Sequence, residues 1–346
     1  MKALQRLGVI LSCAVMAVFA GFSATQTAKA ETVKVGVLRY VSSGGLFLAV
    51  ERGYFKAEGI EVELKFFEAA QPIAVAVVSG DTSFGVTALT GGFYNLAGKG
   101  ALKIIGGQGM EKKGYEGNLI VASNEAFAKG LTDASKLAGK SVGISQIGSS
   151  FHYQIGQIAK AKGFKLSDVS LKPLQSLSNM MAAVKTSQVD AIIIAPHMAK
   201  ALEKAGEGKI IGRVSDIDEY QYGGLFTSTQ IIEKNPELVQ KFFKAYQKGI
   251  IDYSKAFLTK DDSGKIVFNS DTDKAAEEIA KYVYPGEALT ASVPKVKDSA
   301  FYLADRAGLD PENIKAQIDW MKENKLVDSS VDADKIIDLT FIKANP

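Results

Sequence analysis

Cysteine is nearly missing from this chain. The one cysteine, Cys13, sits inside an N-terminal apolar run. Beyond it there can be no disulfide, no thiolate metal site and no thiol nucleophile. Histidine is almost as scarce. His152 and His197 are the only two, too far apart for an HExxH pair or a zinc-finger spacing. There is no GxxxxGK[ST] phosphate loop and no GxSxG nucleophile elbow. Ser149 and His152 stand three apart at an expected helix start, a poor geometry for a Ser–His–acid triad. The acidic turn at 261–264 lacks the acid spacing and distal Glu of a calcium loop, and paired carboxylates for hydrolysis have no evident locus. No cofactor is therefore expected.

What is present begins with a leader. Lys2 and Arg6 precede a mostly apolar stretch at 7–22, and Ala28-Lys29-Ala30 forms a small-x-small site. This is the pattern of a secretory signal peptide, cleaved after Ala30. Lipidation at Cys13 would leave only a handful of apolar residues upstream. Removing Lys2, Arg6 and Lys29 lowers Lys plus Arg from 41 to 38, equal to the 38 Asp plus Glu. A neutral exported chain without a basic run is a poor partner for nucleic acid or anionic membrane surfaces. The 316 residues left from 346 are enough for two cores.

Short apolar strands alternate with helical patterns along the rest of the chain. Strands are expected at 33–38, 61–67, 83–86 and 102–105, and again at 141–144, 169–174, 191–194 and 210–214. Amphipathic stretches separate them, which is the signature of βαβ units and parallel sheets. A Gly-rich stretch at 106–117 divides the two series. From residue 236 the chain reads as almost wholly helical, with Pro236 and Pro311 opening helices and Ser270 with Asp273 resembling a capping box. Trp320 is expected to pack among these C-terminal helices.

The two series align at a constant offset of 107 positions. Val35-Gly36-Val37 falls on Val142-Gly143-Ile144, and Ser42-Ser43 falls on Ser149-Ser150. Both Ser pairs then lie at strand-to-helix junctions, where first-turn N–H groups lack intrahelical partners and the dipole end is positive. Such a junction can seat an acceptor-rich group, or its Ser can simply cap the helix. Two similar lobes facing each other would aim both junctions into one crevice at the carboxyl ends of the strands.

The segments 49–59 (AVERGYFKAEG), 79–86 (SGDTSFGV), 137–150 (LAGKSVGISQIGSS) and 189–195 (VDAIIIA) resemble the periplasmic substrate-binding proteins of the nitrate, sulfonate and taurine ABC-transporter group. That group includes binding proteins for thiamine-pyrimidine precursors. The resemblance covers essentially the whole chain after the leader. It implies an α/β, two-lobed periplasmic-binding-protein fold (type II) with two crossover segments, near 118–122 and 223–228, and C-terminal helices packed on lobe 1. Residues 31–118 and 224–346 would form lobe 1, and 119–223 lobe 2.

The implied function is capture of a small organic solute, anionic and with an aromatic or sulfonate-like body, for delivery to an ABC permease and ATPase complex in the inner membrane. The protein would be monomeric and periplasmic. Ligand contacts carried over at the level of the loop are Tyr40, Ser42 and Ser43 after strand one, Gln71 after strand two, and Thr87 and Thr90 after strand three. Ser149, Ser150 and Phe151 follow at the second junction. Gln108, His152, His197 and Tyr222 fall on neighbouring candidate segments. Arg39 could pair with an anion or be solvated at its strand end. The Cys nucleophile of the sulfinate-cleaving relatives and the Cys-rich iron motif of the eukaryotic pyrimidine synthases are both missing. The other reading is an exported enzyme or sensor-domain partner on the same scaffold. N-terminal sequencing of the exported protein should begin at Glu31; a lipid-bearing start at Cys13 would overturn the leader assignment.

Overall fold

Two sheets are built from the alternating strands. The structure is a computed structural model describing residues 31–345; the leader lies outside the described residues. β1 (Glu31–Val37) buries Val33, Val35 and Val37 by simple alternation. β2 (Ile60–Phe66), β3 (Phe84–Ala88) and β4 (Leu102–Gly107) follow. The chain then passes along a short strand, β5 (Gly109–Glu111), into a second series. That series is β6 (Leu119–Ala122), β7 (Ser141–Ile144), β8 (Ser170–Pro173), β9 (Ala191–Ile194) and β10 (Lys209–Arg213). β11 (Tyr220–Gln221) carries it back to β12 (Gly223–Ser228). β6 and β9 are buried along their whole length, as strands covered on both faces must be.

The sheets have the same topology. One is ordered β2-β1-β3-β12-β4 and the other, read from its far edge, β8-β7-β9-β6-β10. In each, three parallel strands are followed by one that runs antiparallel. The offset of 107 thus marks a structural repeat: Gly36 and Gly143 occupy equivalent central positions, on β1 and β7.

The antiparallel strand of each sheet comes immediately after a crossing. Residues expected to be the crossover segments, 118–122 and 223–228, instead fall largely within β6 and β12. Their apolar side chains make them central strands rather than connections. The crossings are β5 and β11, which pair antiparallel through Tyr220 with Glu111 and Gln221 with Met110. A third strand, β13 (Tyr302–Leu303), pairs with the other edge of β5.

The C-terminal helices wrap the first lobe. The helix Pro236–Phe257 has proline in its first turn, and the Asn235 side chain accepts from the Leu238 N–H at 3.1 Å. It packs against the helix Gly44–Glu51 through glycines: a Cβ on Gly249 would run into the Gly45 carbonyl oxygen. Arg52, at the end of that first helix, donates to Asp252 at 2.7 Å, Asp271 at 2.9 Å and Glu278 at 2.9 Å. One guanidinium therefore ties three helical segments together.

Two local expectations are corrected. Asp271, not Ser270, is the N-cap residue of the helix Thr272–Val283. The buried Thr272 hydroxyl accepts from the Asn269 N–H and donates to the Ala256 carbonyl instead. The helix Leu289–Asp298, with Pro294 inside it, falls within the stretch expected to be helical. Trp320, on the helix Pro311–Glu323, does not pack only among its neighbours. It reaches the second lobe, meeting His152 and Tyr153 edge-on at centroid distances of 5.7 and 5.1 Å.

Gly249→Ala should cost about 1 kcal/mol net in urea unfolding. Overpacking against backbone costs roughly 1–3 kcal/mol and outweighs about 1 kcal/mol of helix propensity gained. A neutral or stabilising result would show that the two helices can separate freely.

Candidate ligand-binding cleft

The carboxyl ends of the parallel strands of both lobes open onto one cavity. β1 delivers Leu38 and Tyr40, then Ser42 and Ser43 in a 3-10 turn that runs into the helix Gly44–Glu51. β2 leads to Ala69, Ala70 and Gln71 at the start of the helix Ala70–Ser79. β3 ends in Thr87 and Ala88, followed by Thr90, which caps the helix Gly91–Gly98. From the second lobe, β7 leads to Ser145 and Gln146, then to Ser149, Ser150 and Phe151 at the start of the helix Ser150–Lys162. Leu177 opens the helix after β8. Gln108, Asn118, Tyr222 and Phe301 complete the wall from the crossing region.

Two features of this wall decide its chemistry. First, none of the described residues lining it carries a formal charge. Second, five helices begin at it, so their positive ends and first-turn N–H groups are the electrostatic content of the site. Several neutral polar atoms are also buried without a partner. They are the hydroxyls of Tyr40, Thr87 and Tyr222 and the side-chain oxygen of Gln108. Burial, and then the nearby Glu68, hold the Tyr40 hydroxyl far above its usual titration range, so it is a permanent donor. The amide of Gln108 donates to the Ser42 carbonyl at 3.3 Å, which leaves its oxygen as the acceptor still to be satisfied. Apolar surface comes from Phe151, Leu177 and a Tyr222–Phe301 edge contact at 5.8 Å.

Both duplicated Ser junctions face this space, but they are not built alike. Ser149 is the N-cap, its hydroxyl accepting from the His152 N–H at 3.3 Å. Ser150 is the first helical residue and only half-buried. Ser43 makes no side-chain cap bond. The lobes also touch at the rim, where the Gly91 N–H donates to the Gly148 carbonyl at 2.8 Å. Gly148 has φ of +78°, a conformation that favours glycine, and its Cα lies 3.6 Å from the place a Gly91 Cβ would take.

Eleven of the fourteen candidate residues thus lie on one wall: Tyr40, Ser42, Ser43, Gln71, Thr87, Thr90, Gln108, Ser149, Ser150, Phe151 and Tyr222. Three do not. Arg39 points outward because strand alternation sends Leu38 in; its guanidinium stacks on Phe66 at 3.7 Å and donates to the Tyr282 carbonyl at 2.8 Å. His152 turns back on its own loop, its Nδ1 accepting from the Gly148 N–H at 3.1 Å, and burial lowers its pKa to about 4. His197 is buried behind the wall, edge-on to Tyr40 at 5.4 Å and Tyr284 at 6.1 Å, and its pKa is likewise lowered to about 4 by burial. Tyr220, two residues before Tyr222, turns away from the cavity and packs on Tyr153 at 4.8 Å. Ser145 and Gln146 were missed although they directly follow an expected strand. Asn118 fell on an expected crossover. No local signal marks Phe301, which arrives from the distant helical region.

Comparison with known proteins places this architecture. The model of the family described as "NMT1/THI5 like" matches residues 41–256. The chain belongs to that family. It is 23% identical over 348 residues to a protein of Bacillus subtilis (strain 168) provisionally named an aliphatic sulfonates-binding protein, covering 97% of this chain and 96% of that one. It is 25% identical to the riboflavin-binding protein RibY of Chloroflexus aurantiacus, over 66% of this chain and 64% of the relative. Among solved structures, the alkanesulfonate-binding protein SsuA of Xanthomonas axonopodis pv. citri, bound to MOPS, superposes with a TM-score of 0.70. It is 17% identical, covering 90% of this chain and all of that one. The shared fold is the two-lobed periplasmic-binding-protein fold.

In the ligand-free protein, Ser149→Ala should lose about 1 kcal/mol of stability through the lost cap, while Ser150→Ala stays within roughly 0.5 kcal/mol of the parent. Urea unfolding of both variants checks this. The opposite ranking would move the cap to Ser150.

Proposed function

We propose that this protein is the periplasmic solute-binding component of an ABC importer. It captures a small organic anion with an apolar or aromatic body between two closing lobes and delivers it to a permease and its ATPase. It acts as a monomer released by cleavage after Ala30. Lobe 1 comprises 31–118 and 224–346, and lobe 2 comprises 119–223. The observation that carries this reading is the convergence of five helix starts on a cavity without charged side chains. Helix ends supply about 0.3–1 kcal/mol each, up to about 2 when partly buried. Hydrogen bonds to a charged acceptor add about 1.5–3 kcal/mol each. Together these hold a singly charged oxyanion without a salt bridge, while Phe151, Leu177, Tyr222 and Phe301 receive an apolar body. The sulfonate-binding relatives and the MOPS-bound structure support the oxyanion; the riboflavin-binding relative supports a planar body.

A thermal-shift screen of sulfonates, carboxylates and flavin-like heterocycles on refolded, ligand-stripped protein tests the reading. A true solute at 100 times its dissociation constant adds about 2.7 kcal/mol and contracts the radius of gyration. For a solute so found, Ser150→Ala and Ser43→Ala should each weaken binding by roughly tenfold, about 1.4 kcal/mol. Ser141→Ala should leave affinity unchanged, because its hydroxyl is committed to Asp190 at 2.8 Å, away from the cavity. Tight binding with no contraction, or equal loss in all three variants, would overturn the proposal.

A further inference from the structure

The crossing region holds a carboxyl group that the cavity's chemistry leaves unused. Glu111, on β5, is fully buried. All its hydrogen bonds fall on one oxygen: Oε1 accepts from the Asn118 N–H at 3.1 Å, the Asn118 amide at 2.8 Å and the Gln154 amide at 3.2 Å. Oε2 has no partner. It lies against Gly117, where a Cβ would strike it. The three bonds join different parts of the machine. Asn118 lines the cavity. Gln154 stands one turn beyond Ser150 on the second-lobe helix that opens at the cavity. Glu111 itself is paired with Tyr220 on the returning strand.

We propose that Glu111 is a proton-binding site in the hinge, and that closure of the lobes takes up one proton there. This rests on the reading that the lobes open and close on a solute. On closing, the carboxylate leaves water, its Oε1 receives the three N–H donors, and the proton resides on Oε2. On opening, β5 and β11 flex, the bond from Gln154 is released, and the group gives its proton back to solvent.

The surroundings favour the neutral acid in the closed form. Desolvation is the dominant influence and raises the pKa to about 8 against the opposing bonds from Asn118. Asp218, before β11, acts in the same direction, and burial raises its own pKa as well. The opposing cation, Arg213 on β10, is engaged by Glu116 at 2.8 Å and Asp216 at 3.9 Å. Tyr220 and Tyr222 face Glu111 as buried, protonated phenols. The helix bearing Gln154 adds Tyr153, itself held protonated by burial, and Lys160, whose charge acts on Asp218. A solvated Glu titrates near pH ~4.3. Between that value and about 8 the closed form binds more protons than the open one. Raising the pH through this window therefore favours opening, by up to about tenfold in the closed-to-open ratio per pH unit.

The test needs no solute. Trp320 is the only tryptophan and sits on the inter-lobe contact with His152 and Tyr153, so its fluorescence reports closure. His152 titrates below the chosen range. Fluorescence and small-angle scattering of the ligand-free protein and of Glu111→Gln, from about pH 5.5 to 9, should show the parent expanding with pH and the variant staying compact. Infrared spectra of the unmutated protein near pH 7 should carry a protonated carboxylic-acid band that persists in Asp218→Asn. That measurement holds even if Glu111→Gln fails to fold. Identical titration of parent and variant, no expansion of the parent, or no such band overturns the proposal. If the parent titrates as expected while no screened solute contracts it, the proton site stands and the solute-binding reading falls.

Discussion

The pairing of β5 with β11 is the constraint on which the rest of the molecule depends. Two residues on each strand hold the pair together, Glu111 with Tyr220 and Met110 with Gln221. The two lobes meet there as well as at the Gly91–Gly148 rim and around Trp320. Immediately beyond each crossing the chain enters the opposite sheet as its antiparallel strand, β6 or β12, so each lobe contains one strand fixed in register to the hinge. A rotation at the crossing therefore moves a whole sheet rather than a loop. The helix starts that line the cavity are carried with it as a rigid set.

The cavity achieves its electrostatics without side-chain charge. A lysine or arginine enclosed there would bring its own desolvation penalty, which is several kcal/mol per buried ion. Backbone N–H groups at helix starts are polar without being ionised, so enclosing them costs much less. Hydroxyl and amide groups at Tyr40, Thr87 and Gln108 add direction and leave the selection of a body to the aromatic and aliphatic walls.

The parts of this structure that could be read from the sequence are those governed by short-range rules. Strand alternation, strand-to-helix junctions and the repeat at 107 positions locate both lobes and both Ser pairs, because each depends on a few neighbouring residues. Arg39, His152 and His197 were misplaced because the position of a residue near a junction does not fix the direction of its side chain. One step along a strand or about 100° around a helix turns a side chain from the cleft to the interior or to solvent. The hinge was displaced because a Gly-rich stretch at 106–117 has no periodicity to mark β5, while the apolar segments beside it resemble connections until the sheet is seen. Phe301 and the inter-lobe role of Trp320 depend on contacts between residues far apart in sequence. No window of sequence contains them.

The position of β12 has a consequence for how the molecule is made. It lies between β3 and β4, and those two strands do not touch each other without it. Yet it is synthesised only after the entire second lobe has emerged. A chain delivered N-terminus first therefore holds the first sheet incomplete, with two apolar strand edges unsatisfied, while the second lobe already has all five of its strands. Assembly is ordered by this topology, with the second lobe complete first and the first lobe closing around the returning strand and the helices that follow it. During synthesis, the interval between β4 and β12 is when an unpaired edge is exposed to other chains.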